Sequence, residues 1–149
     1  MIWAAGAVVL AVMVTAGVAA GERHGGLPAR MLSGHGIGGA VDFAENGGRV
    51  WAITYAAHGA GSVLELNASN GRWIRTFLGG RYGVRYPGAI AAAGGHVWVA
   101  NDPQAGNGQT PKPGDGSVTE LNAADGSWVR TLSGRSYGFD FPATTAVAG

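Results

Sequence analysis

Residues 61–94 read GSVLELNASNGRWIRTFLGGRYGVRYPGAIAAAG, and residues 116–149 read GSVTELNAADGSWVRTLSGRSYGFDFPATTAVAG. The two stretches align without a gap and agree at about half of their positions, which marks an internal repeat. Each is preceded by an apolar Val-Trp stretch, Val50-Trp51-Ala52-Ile53 in one case and Val97-Trp98-Val99-Ala100 in the other. Part of an earlier copy is also legible. Arg30-Met31-Leu32-Ser33-Gly34 matches Arg130-Thr131-Leu132-Ser133-Gly134, and Gly47-Gly48-Arg49-Val50-Trp51 matches Gly94-Gly95-His96-Val97-Trp98.

Within one unit the pattern predicts four short strands. The first, 87–93, is opened by a proline and filled with small apolar residues suited to a crowded inner position. The Val-Trp strand follows. The third and fourth, 62–66 and 73–77, are joined by Asn67-Ala68-Ser69-Asn70-Gly71, whose Asn-Gly pair supplies the left-handed backbone a tight hairpin needs. Asp125-Gly126 stands at the same place in the next unit. A turn centred near Ser69 and Asn70 puts Glu65 opposite Arg75, Val63 opposite Phe77 and Asn67 opposite Trp73 on one face. Glu120 and Arg130 repeat the charge pair, and both pairs are expected to be ordinary exposed ion pairs worth about 0 to 1 kcal/mol. Trp51, Trp73, Trp98 and Trp128 recur with the repeat and are expected to pack between neighbouring units. Tyr82 and Tyr137, each followed by glycine, are expected at the crossing from one unit to the next.

A four-stranded unit of this size, repeated in tandem, is what a β-propeller blade requires, because one blade cannot bury its faces until neighbours stack on it. The expected fold is all-β: about two to two and a half four-stranded blades, in units of roughly 30–46, 47–93 and 94–149, after an N-terminal hydrophobic helix. The stretches VWVAN, SVTELNAADGSWVRTLSG and YGFDFPATTAV resemble the NHL and YncE-like propeller repeats of exported bacterial proteins. PQQ-type quinoprotein repeats are similar in residue order and rank second. The first resemblance covers nearly everything after residue 20 and implies the architecture without an activity, since that family holds lyases, sensor-domain extensions and binding modules. Closed propellers take about 4 to 8 blades. A gene fragment, a truncated chain or assembly with further copies is therefore expected, because bare strand edges otherwise invite aggregation.

From residue 2 to residue 20 there is no charge, and Val18-Ala19-Ala20 ahead of Gly21 places small residues where signal peptidase cuts. Residues 1–20 are expected to act as a signal peptide or membrane anchor, with 21–29 a linker and 30–149 the repeat domain, so that the chain is exported to the cell envelope or secreted. No positively charged leader precedes the apolar run, which keeps the anchor open beside the cleaved signal. The 28 glycines and a charged fraction of 13%, about half of the usual share, favour turns and short strands. Ten basic residues stand against nine acidic ones without a basic cluster, which argues against nucleic acid as a partner. Cysteine is absent, so disulfides and thiolate metal sites are excluded.

Candidate chemistry is sparse. His24, His35, His58 and His96 show no ligand spacing, and His96, in the place of Arg49, is expected to be a solvated turn residue. Asp42 and Glu45 sit on the inner strand of the partial unit and are the candidates for a polar channel site, though no His or Lys accompanies them. Asp102, Asn107 and Asp115 lie in or beside a Pro/Gly-rich excursion longer than its counterpart at 54–61. Such insertions form binding surfaces in repeat arrays. These three could offer oxygens to calcium but lack the alternating spacing of a dedicated loop; no other cofactor is expected. Gly34-His35-Gly36-Ile37-Gly38-Gly39 is not followed by a helix pattern, so it makes no phosphate cradle.

Three functions follow as expectations. The first is a binding or scaffold module for a protein, glycan or small ligand, with self-association or further blades as partners. The second, implied by the resemblance, is part of a propeller lyase or hydrolase of YncE or virginiamycin-lyase type. The third is a purely structural surface repeat.

Overall fold

The computed structural model describes residues 39–55, 61–102, 114–139 and 142. The expected N-terminal helix, signal and linker, the remnant at 30–34, and His24, His35, His58 and Asn107 lie outside the described residues. Among the described residues, no helix is long and apolar enough to cross a membrane.

Eight strands form two four-stranded antiparallel sheets. The first sheet runs β1 (Ala40–Asn46), β2 (Arg49–Tyr55), β3 (Gly61–Asn67) and β4 (Trp73–Leu78), paired in chain order. The second runs β5 (Pro87–Ala93), β6 (His96–Asn101), β7 (Ser117–Asn122) and β8 (Trp128–Ser133), paired the same way. Each sheet thus holds the four strands that the repeat predicts. The sequence units 47–93 and 94–149 begin one strand later than the sheets do, at β2 and β6, so the first unit ends on the opening strand of the second sheet.

β-branched and aromatic residues make β2 and β6 central strands, and β2 is covered on both faces. Val50, Trp51, Ala52 and Ile53 are all at most 4% exposed. Odd members turn toward the second sheet: Trp51, Ile53, Val63 and Phe77 meet Ile90, Ala92, Val97, Val99 and Leu121 in one core, closed at one end by Val84. On the opposite face of the first sheet, Val50, Ala52, Leu64 and Leu66 form a smaller cluster with Ala40, Phe43 and Ala68 packed against it.

The crossing between sheets is a single helical turn, α1 (Gly79–Tyr82), ended by Gly83 at φ 69°. The same place after the second sheet holds a 3-10 turn, Arg135–Tyr137, ended by Gly138 at φ 65°. Tyr82 thus stands where the sequence puts it, at the crossing between the sheets, and Tyr137 ends the equivalent turn after β8. Two glycines at equal repeat positions are needed for close approach. A Cβ on Gly61 would stand 2.3 Å from Pro87 Cδ, and one on Gly116 would stand 2.8 Å from Pro142 Cδ.

One register expectation is overturned. Glu65 pairs with Arg75 and Val63 with Phe77 as the sequence suggests, but Trp73 lies opposite Leu66, not Asn67, because a bulge intervenes. Asn67 is drawn into the turn instead: its N–H donates to Arg72 O at 2.9 Å and its carbonyl accepts from Gly71 N at 2.8 Å. An extra residue on one strand flips every side chain beyond it, so Trp73 moves to the other face. The second sheet repeats this at Leu121 and Trp128.

Candidate functional site

The face that the first sheet turns to the second carries a buried carboxylate. Glu65, 0% exposed, lies opposite Trp51 on one side and Arg75 on the other. Arg49 donates Nη1 to its Oε1, and Arg75 Nε stands 2.7 Å from Oε2. In the second sheet Glu120, 4% exposed, lies opposite Trp98 and Arg130. Arg130 Nε donates to Oε2 at 2.5 Å, and His96 Nδ1 approaches Oε1 at 2.8 Å. The Arg75 and His96 approaches are close contacts without the alignment of a hydrogen bond. Two expectations change here. These carboxylates are buried, because the Val-Trp strand and the fourth strand flank each of them. His96 opens β6 and serves Glu120, where Arg49 serves Glu65, with its ring against Trp98 at 5.6 Å.

Arg75 does a second thing. Its Nη1 donates to Asp125 O at 2.6 Å and its Nη2 to Ala124 O at 3.1 Å, both on the β7–β8 turn. Phe77, two residues on, lies against Gly126 in the same turn, where a Cβ would stand 1.8 Å from the ring. The sheets are therefore joined at the β7–β8 turn by one guanidinium reading main-chain carbonyls and one ring seated on a glycine. Between β1 and β5 Asp42 joins them: Oδ2 accepts from Ile90 N and Oδ1 from Phe43 N, both at 2.9 Å.

Asp125, on the surface of that turn, has its carboxyl held below the usual aspartate range. Hydrogen bonding from the Ser127 side chain is the largest cause and from the Ser127 amide the next, with the charge of Arg75 a smaller one.

Asp42 and Glu45 do not converge. Asp42 pairs across from Ile53 and Glu45 from Val50, an odd separation that puts them on opposite faces, and both oxygens of Asp42 are engaged by backbone amides. Glu45 is exposed. Asp102 is half-buried, with its N–H donated to Tyr86 O at 2.9 Å, and Asp115 is exposed. Among the described residues, no three His, Cys, Asp or Glu side chains come together as metal ligands would.

The tryptophans divide. Trp51 is fully buried between the sheets, 6.0 Å from Phe77. Trp73 and Trp128 are 45% and 53% exposed, contrary to the expectation that all four pack between units. The bulge turns each off the Glu-Arg face, and each indole N–H is held at 3.0 Å by the hydroxyl three residues on, Thr76 or Thr131.

Reasoning from sequence missed the inter-sheet role of Arg75 and the turn it grips. The signal was present: the arginine and the Asn-Ala-x-x-Gly turn recur together in both copies, 55 residues apart, as 75 and 130, and 67 and 122. No family profile matches the chain, and no curated protein is significantly similar to it.

Proposed function

We propose that the chain is an exported scaffold of propeller-type blades that serves as a binding module for a protein, glycan or small ligand. The observation that supports this best is the way one sheet holds the next, through positions that the repeat supplies again. Arg75 and Phe77 grip the turn of the second sheet, and Arg130 and Leu132 occupy the same places one unit later. Such an architecture gains stability from neighbour contacts and leaves loops and rims for recognition. Asp42 gives both of its oxygens to backbone amides, where an active site would need it turned to a ligand.

The test uses the full chain in a mild detergent, screened by thermal shift against oligosaccharides, peptides and small metabolites, with lactone and ester turnover measured in parallel. A saturable rise in Tm with one ligand class and no turnover is the expected result. Turnover that survives further purification would replace the scaffold with an enzyme.

A further inference from the structure

We propose that the outward face of the second sheet, formed by Trp98, Val118, Glu120, Arg130 and Leu132, binds a glycine-closed hairpin turn of a different polypeptide, with Arg130 donating to two of its main-chain carbonyls. The inference rests on the blade-scaffold reading above and names the class of partner, a protein.

The equivalent positions of the first sheet show what such a face holds. Trp51, Val63, Glu65, Arg75 and Phe77 correspond to Trp98, Val118, Glu120, Arg130 and Leu132, and pair across their strands in the same way. In the first sheet these residues lie against the second: Trp51 and Val63 are 0% exposed and Phe77 is 4% exposed. Arg75 is held beside Glu65 at Nε and turns its terminal nitrogens to the carbonyls of Asp125 and Ala124, while Phe77 rests on Gly126.

The second face has the same parts without that cover. Trp98, Val118 and Leu132 are half-buried, and Arg130 is 60% exposed where Arg75 is 33% exposed. Glu120 holds Arg130 at Nε, and among the described residues no acceptor meets the two terminal nitrogens. A guanidinium fixed at Nε presents those nitrogens as a planar fork. Glu120 also balances the charge of Arg130 at close range, so the face offers directed donors with little net charge. Neutral carbonyls suit it better than an anion does. Leu132 supplies the apolar seat that Phe77 gives to Gly126.

The partner is a different polypeptide because the turns of this chain are engaged. The turn at 122–126 lies under Arg75 and Phe77. In the turn at 67–71 Asn70 already has an interaction, and in the sequence Arg30 and Leu32 stand one unit before it, as Arg75 and Phe77 stand before 122–126. What the face recognises is a pair of successive carbonyls followed by a glycine of positive φ, which is 70° at Gly126. Any side chains can stand at the two carbonyl positions. A contact of that size is weak.

Nuclear magnetic resonance of the full chain in non-ionic detergent tests this, with a cyclised peptide of the sequence 121–128, Leu-Asn-Ala-Ala-Asp-Gly-Ser-Trp, as the probe. Saturable shifts at the Trp98 indole N–H and the Arg130 Nε–H are expected. Arg130→Gln is expected to weaken binding about ten-fold, the loss of charge-assisted hydrogen bonds. If Arg130→Gln lowers the melting temperature by stranding Glu120, Leu132→Asp replaces it and leaves that ion pair intact, with the same weakening expected. A chain that melts cooperatively but shows no shift on this face, or binds equally well with either variant, overturns the docking and leaves the scaffold standing. Shifts at Arg75 and Phe77 in place of Arg130 overturn it too, since the probe then displaces the chain's own turn. Equal binding of the same peptide in linear form overturns recognition of a turn, and inorganic phosphate that shifts Arg130 where the cyclic peptide does not makes this an anion site instead. A chain with no cooperative melt removes the blade scaffold and the docking with it.

Discussion

Phe77 occupies the space that a side chain at Gly126 would need: a Cβ there would stand 1.8 Å from Cε1 of the ring. Gly126 also sits at φ 70°, so alanine meets backbone strain and a collision together. Gly126→Ala is expected to destabilise the chain by about 2–4 kcal/mol, the sum of left-handed strain and overpacking. Gly48→Ala has φ 76° and open space around it, and is expected to cost only the strain, about 1 kcal/mol. Urea melts of the two variants separate the terms, and equal losses would mean that the ring does not rest on Gly126.

Glu65, itself buried, holds two guanidiniums. Glu65→Gln strands charge beside a covered face and is expected to cost about 3 kcal/mol, the low end for breaking a buried pair because both arginines keep a third of their surface in solvent. Glu120→Gln is expected to cost less, about 1–2 kcal/mol, since its partners Arg130 and His96 are 60% and 42% exposed and more strongly screened. Chemical denaturation of both variants ranks them; the reverse order would show that the second sheet's face is covered as fully as the first.

Asp42 ties β1 to β5 through the amide of Ile90. Asp42→Ala leaves that amide without its acceptor and is expected to cost about 1–3 kcal/mol. Hydrogen exchange at Ile90 is the direct readout, and exchange there should accelerate more than at the neighbouring amides of the same strand. An unchanged rate would place the contact outside the folded ensemble.

Asp125 makes the β7–β8 turn sensitive to acid. Its folded-state carboxyl titrates below the ordinary aspartate range, chiefly through the Ser127 side chain. The turn's contribution is therefore complete at pH values above the unfolded group's titration and is lost as pH falls through the folded value. Asp125→Asn is expected to lower stability at neutral pH and to leave it nearly unchanged in acid, so that the pH dependence flattens. Thermal melts at pH 7 and at pH 3 measure both, and parallel shifts at the two would assign Asp125 a role other than charge.

The strands were legible because the repeat states each of them twice. Val63 opposite Phe77 and Glu65 opposite Arg75 follow from period-two alternation and a glycine turn, and both pairs occur. Trp73 escaped because a bulge is a property of the turn's closing bonds, and nothing in the alternation of 73–77 reveals an extra residue. The burial of Glu65 escaped for another reason. A Glu-Arg pair reads the same in water as between flanking strands, and Trp51 and Arg49 come beside Glu65 only through the pairing of β2 with β3. Asp42 and Glu45 were recognisable as acids on an inner strand, but the partner of Asp42 is a main-chain amide of Ile90, and amides carry no sequence signature.

Arg75 addresses carbonyl oxygens, which any residue provides, so its grip places no demand on the side chains at 124 and 125. Those two positions differ between the copies, Ser-Asn in one and Ala-Asp in the other, while the arginine and the closing glycine do not. A joint with so little sequence vocabulary can be inherited whole when a unit is duplicated. Lengthening such an array by gene duplication then requires no new contact to be invented, and rim residues are left to diverge toward whatever each added unit meets.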